Sequence, residues 1–334
     1  MRDGISSDHR CTLSLPSGEG GNRLLSPFGA VPVIATGMSA RTSPVIAFGA
    51  AALGIAIYSV MDTLMKRLSI DSGAYSAVLW RSWVGVVLTG ALFLARGGRW
   101  PGRQALALHV ARGATGGASV LLFFWGLARV PMAQSIALTF LAPLIALFLA
   151  AFTLGERIRR AAILGSLIAG VGVLVIAAGE VQAQASTETV LGSLAILAAS
   201  ILYAVSLVLL RRQAQVAGPV EVALFTMLVI AVLMLPAAPF VSGWPATAQW
   251  PAIVVAAALG SLSALLLAWA YARAEAQILA PVEYTAFVWA ALLGYAVFGE
   301  RVSPFTLVGA AAIIGGCVVA VRRPGPGPQS EAGL

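Results

Sequence analysis

The sequence predicts an all-α integral membrane protein whose ten transmembrane helices form two inverted five-helix repeats. Of its 334 residues, 59% are apolar and only 10% are charged, whereas soluble domains carry about 25% charged residues. The apolar residues form long, nearly unbroken runs, as at 136–152 and 253–271. Runs of about 18 or more apolar residues span a bilayer. The two halves of the chain also resemble each other.

Ten apolar segments are long enough to cross the membrane. The predicted spans are 44–65, 74–95, 104–128, 131–153, 160–178, 190–210, 219–241, 250–272, 277–298 and 304–321. Most connections between them are short, so consecutive helices are expected to be antiparallel neighbours. The longest internal gap, 179–189, separates the fifth span from the sixth. It is the predicted connector between a first repeat, 44–178, and a second repeat, 190–321.

Both ends of the chain are predicted to be tails. Residues 1–43 are rich in Ser, Gly, Pro and charge and have no sustained apolar period, which is typical of disorder. The segment MSARTSPVIAFG begins at Met38 and reads like a natural start. Whether the residues before it are translated is left open. Residues 322–334 are rich in Pro and Gly and are also interpreted as unstructured.

The distribution of basic residues predicts that both termini are cytoplasmic and that the protein lies in the inner membrane. With the N-terminus inside, the outside segments hold only Lys66, Arg67, Arg129 and Arg301, and most other basic residues fall in inside segments. Lys and Arg accumulate on the cytoplasmic side of membrane proteins. The connector 179–189 is then periplasmic. The net charge of +8 reflects this topology and does not predict a nucleic-acid partner.

Three segments of the first half have counterparts in the second half at a nearly constant offset. The pairs are FFWGLARVPMA (123–133) with LAWAYARAEAQ (267–277), LGERI (154–158) with FGERV (298–302), and IYSVMDTLMKR (57–67) with LYAVSLVLLRR (202–212). Because each half has an odd number of spans, the halves must be inserted upside down relative to each other. Inverted repeats are typical of secondary transporters, in which two similar halves rock about a central site.

Three segments also carry a resemblance to a known transporter family. They are YSVMDTLMKRLS (58–69), PMAQSIALTFLAPLIALFLAAFTLGERI (131–158) and ILAPVEYTAFVWAALLGYAVFGERV (278–302). In these segments the chain resembles the drug/metabolite transporter superfamily, specifically its EamA-type members, over residues 44–321. The resemblance implies a secondary transporter with a central cavity that moves a small organic metabolite such as an amino acid, a nucleoside or a vitamin-like solute. The alternative within the superfamily is an uptake carrier of the S-adenosylmethionine or riboflavin type.

Eight residues within the spans are predicted to line the substrate path or its gates. They are Asp62, Lys66, Arg81, Arg112, Pro143, Tyr203, Glu283 and Tyr284. A charged side chain at the centre of a span costs about 2.5–3.5 kcal/mol, so each one indicates function by default. We expect Asp62, Lys66 and Arg81 to form one network near the outer surface, because Asp62 and Lys66 are one helical turn apart. The alternative is an interfacial ion pair with snorkelling side chains.

Arg112 and Glu283 lie at similar depths from the inner surface, so the sequence predicts a buried pair. Such a pair would form an inner gate or bind a charged or zwitterionic solute, since a lone charge at this depth is costly. His109, one turn before Arg112, is a candidate proton carrier, with a position near the interface as the alternative. Proton coupling through Glu283, Asp62 or His109 is left open.

Two tyrosines and a proline complete the candidate site. Tyr203 and Tyr284 are candidate walls of the cavity, with lipid-facing positions as the alternative. Pro143 is expected to free a backbone carbonyl and to kink the fourth span at the cavity, with a tolerated packing kink as the alternative. Its repeat position holds Phe287, so the second half lacks the proline.

Other classes of function find little support in the sequence. With only His9 and His109, a Ser-His dyad or a His-based metal site has almost nothing to draw on, and Cys11 and Cys317 make no metal framework. No phosphate-binding loop of the G-x-x-x-x-G-K-[ST] type is present. The protein is therefore predicted not to be an enzyme and to need no cofactor or metal. A channel remains the alternative of another class, and the expected partners are a small-molecule substrate and the bilayer.

Overall fold

The computed structural model describes residues 44–154, 160–213, 215–271 and 282–321. Every regular element in these ranges is a helix, so the prediction of an all-helical membrane protein is confirmed. The predicted tails, 1–43 and 322–334, lie outside the described residues, as does the first part of the ninth predicted span, 277–298.

The helices begin and end close to the predicted spans. In chain order they are α1 (Pro44–Ser72), α2 (Ala74–Ala95), α3 (Arg103–Leu127), α4 (Met132–Thr139), α5 (Leu141–Leu154), α6 (Arg160–Gln182), α7 (Thr187–Gln213), α8 (Pro219–Met234), α9 (Ala238–Val241), α10 (Trp250–Tyr271), α11 (Thr285–Phe298) and α12 (Pro304–Val321). α1 continues past its predicted end at residue 65 because no helix breaker precedes Gly73. That glycine has a φ of +82°, which suits a residue without a side chain.

Eight segments of the described chain are long and apolar enough to cross a membrane. They are Ile46–Ser72, Ala74–Ala95, Arg103–Leu127, Met132–Leu149, Ile163–Gln182, Thr187–Leu210, Pro219–Val241 and Thr247–Leu267. Thr285–Phe298 and Pro304–Val319 are shorter apolar helices at the places of the ninth and tenth predicted spans. The chain is a multi-pass membrane protein.

The fourth predicted span is broken between α4 and α5 at Phe140. Pro143 lies in the first turn of α5, where its ring would collide with the carbonyl of residue 139 in a continuous helix. Neighbouring side chains bind the carbonyls around the break. The Cys317 thiol donates to the Phe140 carbonyl at 3.3 Å, and the Ser200 hydroxyl donates to the Leu138 carbonyl at 3.4 Å.

The packed helix pairs follow the order of the two halves. α1 packs against α10 and α11, whereas α7 packs against α3, α4 and α5. α2 packs against α10, and α8 packs against α3. Two further large contacts join α2 to α8 and α6 to α12. When the first five predicted spans are exchanged with the last five, this set of pairs maps onto itself.

α6 and α12 approach each other through glycines. A Cβ atom at Gly172 would lie 2.6 Å from the Gly309 carbonyl oxygen, whereas a Cβ atom at Gly170 would meet nothing within 4 Å. Small residues allow transmembrane helices to approach closely. Gly172 and Gly309 therefore form one pair through which α6 packs closely against α12.

The largest apolar core lies toward one end of the bundle. We call this the Lys66 end, where α1, α3 and α11 end and α2, α4, α7 and α10 begin; the opposite end is the His109 end. The core cluster at the Lys66 end includes the buried Met61, Met65 and Leu127. On the α1 side of the His109 end, the buried cluster is small and includes Ala51 and Ala270.

Candidate functional site

A polar junction closes the Lys66 end of the bundle. The buried Lys66 ammonium forms an ion pair with the Glu300 carboxylate and donates to the Val130 carbonyl at 2.8 Å. Glu300 Oε2 accepts the backbone N–H of Met132 at 2.7 Å, at the N-terminus of α4, where helices favour negative charge. This Lys66–Glu300 junction therefore joins α1, α4 and the end of α11.

The turn after α11 aims Glu300 at this junction. Gly299 ends the helix in the left-handed region, with a φ of +69°, and glycine is the usual residue at this position. The chain then folds back, so that the backbone N–H of Glu300 donates to the Gly294 carbonyl at 3.1 Å. The Phe298 ring lies 5.1 Å from the Lys66 ammonium and adds a cation–π contact.

The junction corrects the predicted network of Asp62, Lys66 and Arg81. Lys66 binds Glu300 instead of Asp62, because its long side chain extends from α1 to the turn after α11. Glu300 was not among the predicted site residues. The signal was present, since the same Gly-Glu-Arg triplet occupies the aligned position of the first half.

A cavity of about 470 Å³ opens beside the junction at the Lys66 end. Its lining includes Lys66, Glu300, Arg129 and Thr189, and small-molecule sites have volumes of about 300–1,000 Å³. Arg129 bonds to Glu188 at 2.6 Å and stacks on Trp125. The junction thus forms part of the wall of a space that is large enough for a small organic solute.

Asp62 and Arg81 face each other in the interior without bonding. Asp62 is 2% exposed, and its Oδ1 atom has no hydrogen-bond partner within the described ranges. Arg81 is also buried. Its Nη1 atom lies 3.5 Å from the Met61 sulfur, and its Nε atom has no hydrogen-bond partner within these ranges either. The two charges interact electrostatically, but no ion pair within 4 Å joins them among the described residues.

Two tyrosines at aligned repeat positions lie close enough to influence each other electrostatically. Tyr58 on α1 and Tyr203 on α7 interact electrostatically with each other, and Tyr203 also interacts with Arg112 and Glu283. Tyr58 is 43% exposed and Tyr203 is 48% exposed. Because their partners lie on other helices of the bundle, we interpret this exposure as facing a space between helices. We call these four residues the tyrosine seam.

The predicted direct pair of Arg112 with Glu283 is replaced by a different arrangement. Arg112 Nη1 donates to the Thr226 hydroxyl at 2.5 Å, and Tyr203 interacts with both members of the predicted pair. Glu283 is exposed. α3 packs against α7 and α8. Arg112 and Glu283 are therefore not neighbours in the plane of the membrane, although they lie at similar depths.

His109 lies in a polar cluster between three helices. Its ring is fully buried and stacks on Phe225 with the ring centroids 4.7 Å apart. His109 Nε2 lies 3.0 Å from Glu221 Oε1, and His109 Nδ1 bonds to the Gln213 amide. Glu221 and Gln213 were not predicted as partners of His109, because they lie on α8 and α7.

A second buried polar cluster joins α4, α6 and α7 at the Lys66 end. The Gln134 amide donates to Glu180 Oε1 at 2.5 Å and to the Ser193 hydroxyl at 3.3 Å, and Ser193 also donates to Glu180. These residues were not predicted as site residues. The sequence alone does not show that these three helices meet, so it does not reveal that their polar side chains form a cluster.

Tyr284 lies directly before α11 and contacts the break between α4 and α5. The Tyr284 ring packs edge-on against Phe140, with the ring centroids 5.4 Å apart. Phe140 and Tyr284 occupy aligned repeat positions, and α11 begins directly after Tyr284 as α5 begins directly after Phe140. The second half therefore places a helix start at this position although it has Phe287 where the first half has Pro143.

The described residues contain no group of three or more His, Cys, Asp or Glu side chains that could hold a metal ion. The chemistry of the interior is instead that of separate opposite charges, tyrosine hydroxyls and aromatic rings. Such groups bind and orient a polar organic molecule by hydrogen bonds and charge. Hydrogen bonds and ion pairs between such groups also join neighbouring helices, and breaking one of these bonds can allow the helices to move apart.

The chain is similar in sequence to known membrane transporters. The model of the EamA-like transporter family matches residues 42–178 and again residues 190–322. The pseudopaline exporter CntI of Pseudomonas aeruginosa is 27% identical over 271 residues, which cover 79% of this chain and 92% of that protein. A probable terminal-alkyne amino-acid exporter of Streptantibioticus cattleyicolor is 30% identical over 292 residues, which cover 83% of this chain and 89% of that protein.

Two further comparisons agree with these. A riboflavin transporter of Brucella anthropi is 26% identical over 274 residues, covering 80% of this chain and 95% of that protein. One crystal structure matches with a TM-score of 0.55 at 26% identity, covering 84% of this chain and 98% of the other. The predicted resemblance is confirmed: the chain belongs to the EamA-like transporter family and is a membrane transporter of small solutes.

Proposed function

We propose that the protein is a secondary transporter that exports a small amino-acid-derived metabolite across the inner membrane. Transport would proceed by alternating access to a central site between two inverted repeats, 44–178 and 190–321. The two family matches, 42–178 and 190–322, support this division. The exchange of packed helix pairs between the halves supports a two-fold relation between them.

The observation that carries the proposal is the contact of aligned residues from the two halves. Phe140 packs on Tyr284, and Tyr58 interacts electrostatically with Tyr203. The first pair lies where α5 and α11 begin, and secondary transporters commonly bind substrate at discontinuous helices between their repeats. A solute held there would contact both halves, so their relative motion would change the side from which it is reached.

The described state is proposed to be closed toward the periplasm. The predicted topology places the connector 179–189 and the Lys66 end on that side. The Lys66–Glu300 junction and the large apolar core both seal this end. Export would then require the junction to break and α1 to part from α4 and α11, while the His109 end closes.

The chemistry of the tyrosine seam supports a solute that carries both charges. Arg112 would face a carboxylate and Glu283 an ammonium group, with Tyr58 and Tyr203 between them. Two relatives are exporters, of pseudopaline and of a terminal-alkyne amino acid, and this is the basis for proposing export and an amino-acid-derived solute. The riboflavin relative supports the second candidate, uptake of an aromatic vitamin-like solute that stacks on the tyrosines.

Counterflow in proteoliposomes tests the proposal. Purified protein is reconstituted with unlabelled amino acids inside, and the uptake of a labelled panel of amino acids, nucleosides and riboflavin is measured. A carrier gives saturable uptake that depends on solute inside the vesicles. Tyr203→Ala is expected to lower the exchange rate, whereas Tyr295→Ala, on an exposed position away from the seam, serves as the control. Flux that neither saturates nor depends on internal solute would favour a channel.

A further inference from the structure

We propose that Asp62 is a proton-binding site that couples solute transport to proton movement. This rests on the proposed carrier function. The carboxylate is 2% exposed, and its Oδ1 atom has no hydrogen-bond partner in the part of the chain that the structure describes. An ionised carboxylate in a membrane interior is costly and is normally paired with charges or hydrogen-bond donors. A missing partner of this kind points to a bound species, and the smallest one that neutralises the charge is a proton.

The surroundings of Asp62 leave its charge only partly compensated. On α1, Tyr58 lies one turn away and interacts with Asp62. On α2, Arg81 interacts with it electrostatically without an ion pair. The other helices packed against α1 carry few titratable groups: α3 has Arg103, His109 and Arg112, α10 has only Tyr271, and α11 has only Tyr295. Among these, Arg81 is the cation that interacts with Asp62.

Arg81 is held where it can respond to the charge on Asp62. Its guanidinium lies 5.6 Å from the Phe124 ring and 3.5 Å from the Met61 sulfur, so its position is stabilised by soft partners as well as by the carboxylate. A protonated Asp62 would no longer attract Arg81, and an ionised Asp62 would attract it fully. Protonation therefore changes the force between α1 and α2.

Two other candidate groups are already bound in ways that suit a structural role. Both ring nitrogens of His109 are hydrogen-bonded, to Glu221 and Gln213, and its ring stacks on Phe225. Glu300 is shared between Lys66 and the N-terminus of α4. Releasing either group would break helix contacts, whereas protonating Asp62 breaks none.

A route for the proton follows from Tyr58. It lies on the same face of α1 as Asp62, one turn toward the His109 end, and is partly exposed in the tyrosine seam. In the state described, Asp62 would exchange its proton through the seam toward the His109 end. When the Lys66–Glu300 junction opens, the carboxylate would exchange with the other side. One proton would then enter for each solute exported, with the acid group regenerated in every cycle.

Infrared difference spectroscopy tests the proton site without any solute. The purified protein is titrated from about pH 5 to pH 9, a range around which buried carboxyl groups titrate. The protonated-carboxyl band is compared between wild type, Asp62→Asn and the control Glu188→Gln, in which the replaced side chain is 66% exposed. We expect a titrating band in wild type and in the control that is absent in Asp62→Asn. A wild type without such a band, or an unchanged band in Asp62→Asn, would overturn the proposal while leaving the carrier function intact.

A pH gradient across proteoliposomes tests the coupling. With the membrane potential clamped, exchange of one proton for one solute gives about a tenfold solute gradient per pH unit. Wild type is expected to reach this gradient, and Asp62→Asn is expected to equalise the solute on both sides. Asp62→Glu, which keeps the titrating group, should restore part of the gradient if Asp62→Asn is poorly folded. Solute-dependent thermal stabilisation that disappears in Asp62→Asn would instead assign the carboxylate to the ammonium group of the solute and overturn the proposal.

Discussion

Replacing Glu300 with Gln should open the Lys66 end of the protein. The substitution keeps the shape of the side chain and an acceptor for the Met132 N–H but removes the charge that binds Lys66. Removing one member of a buried ion pair costs about 3–5 kcal/mol. Because Glu300 is 20% exposed, solvent screening reduces the expected cost to roughly 2 kcal/mol. That cost falls on the state in which this end is closed.

A shift of about 2 kcal/mol changes the ratio of two conformations roughly 30-fold. The assay measures how fast a membrane-impermeant thiol reagent labels Ser135→Cys. Ser135 lies about one turn after the start of α4 and is fully buried, so the reagent reaches it only when this end opens. Glu300→Gln is expected to accelerate labelling by about that factor while the closed state still predominates.

Glu188→Gln provides the matched control for this experiment. Glu188 pairs with Arg129 at the same end of the bundle, but its side chain is 66% exposed, and exposed pairs contribute about 0–1 kcal/mol. Glu188→Gln should therefore change the labelling rate of Ser135→Cys by less than about fivefold. Equal labelling rates in Glu300→Gln and in the unmodified background would refute the role of the junction as the closure of this end.

Three further predictions concern packing, buried polarity and the helix break. Gly172→Ala should lower the free energy of unfolding by about 1–3 kcal/mol because of the Gly309 carbonyl 2.6 Å away, measured as a lower Tm in detergent; an equal loss in Gly170→Ala would contradict this. His109→Ala should also lower the Tm, by leaving Glu221 unpaired at a cost of about 1–3 kcal/mol, and a Tm equal to wild type would contradict it. Pro143→Ala should slow solute exchange by favouring a continuous helix; a faster rate would oppose a role for the break.

The sequence was most informative where physical chemistry acts along the chain. Nearly unbroken apolar runs predicted the membrane helices, and Pro143 predicted the interruption between α4 and α5. Each of these properties depends on a few neighbouring residues and on the bilayer, so one sequence is enough to reveal them.

Pairing between distant side chains was harder to predict. Arg112 and Glu283 lie at similar depths in the membrane, but Arg112 binds Thr226 because α3 packs on α8. Lys66 shares a helix face with Asp62, yet it binds Glu300 across the bundle. Depth and helical spacing follow from residue numbers, whereas the lateral arrangement of helices follows from packing over the whole chain. The repeat held part of this missing information, since it aligns Tyr58 with Tyr203 and Phe140 with Tyr284.

The inverted orientation of the two repeats is the claim on which the proposed transport cycle depends. Single cysteines placed at Ala185, in the connector, and at Ser330, in the C-terminal tail, can be labelled by an impermeant thiol reagent in a Cys11→Ser background. The proposal predicts that Ala185→Cys is labelled from the periplasmic side and that Ser330→Cys is labelled only after the membrane is permeabilised. Labelling of both positions from the same side would contradict the inverted repeat and the alternating-access cycle built on it.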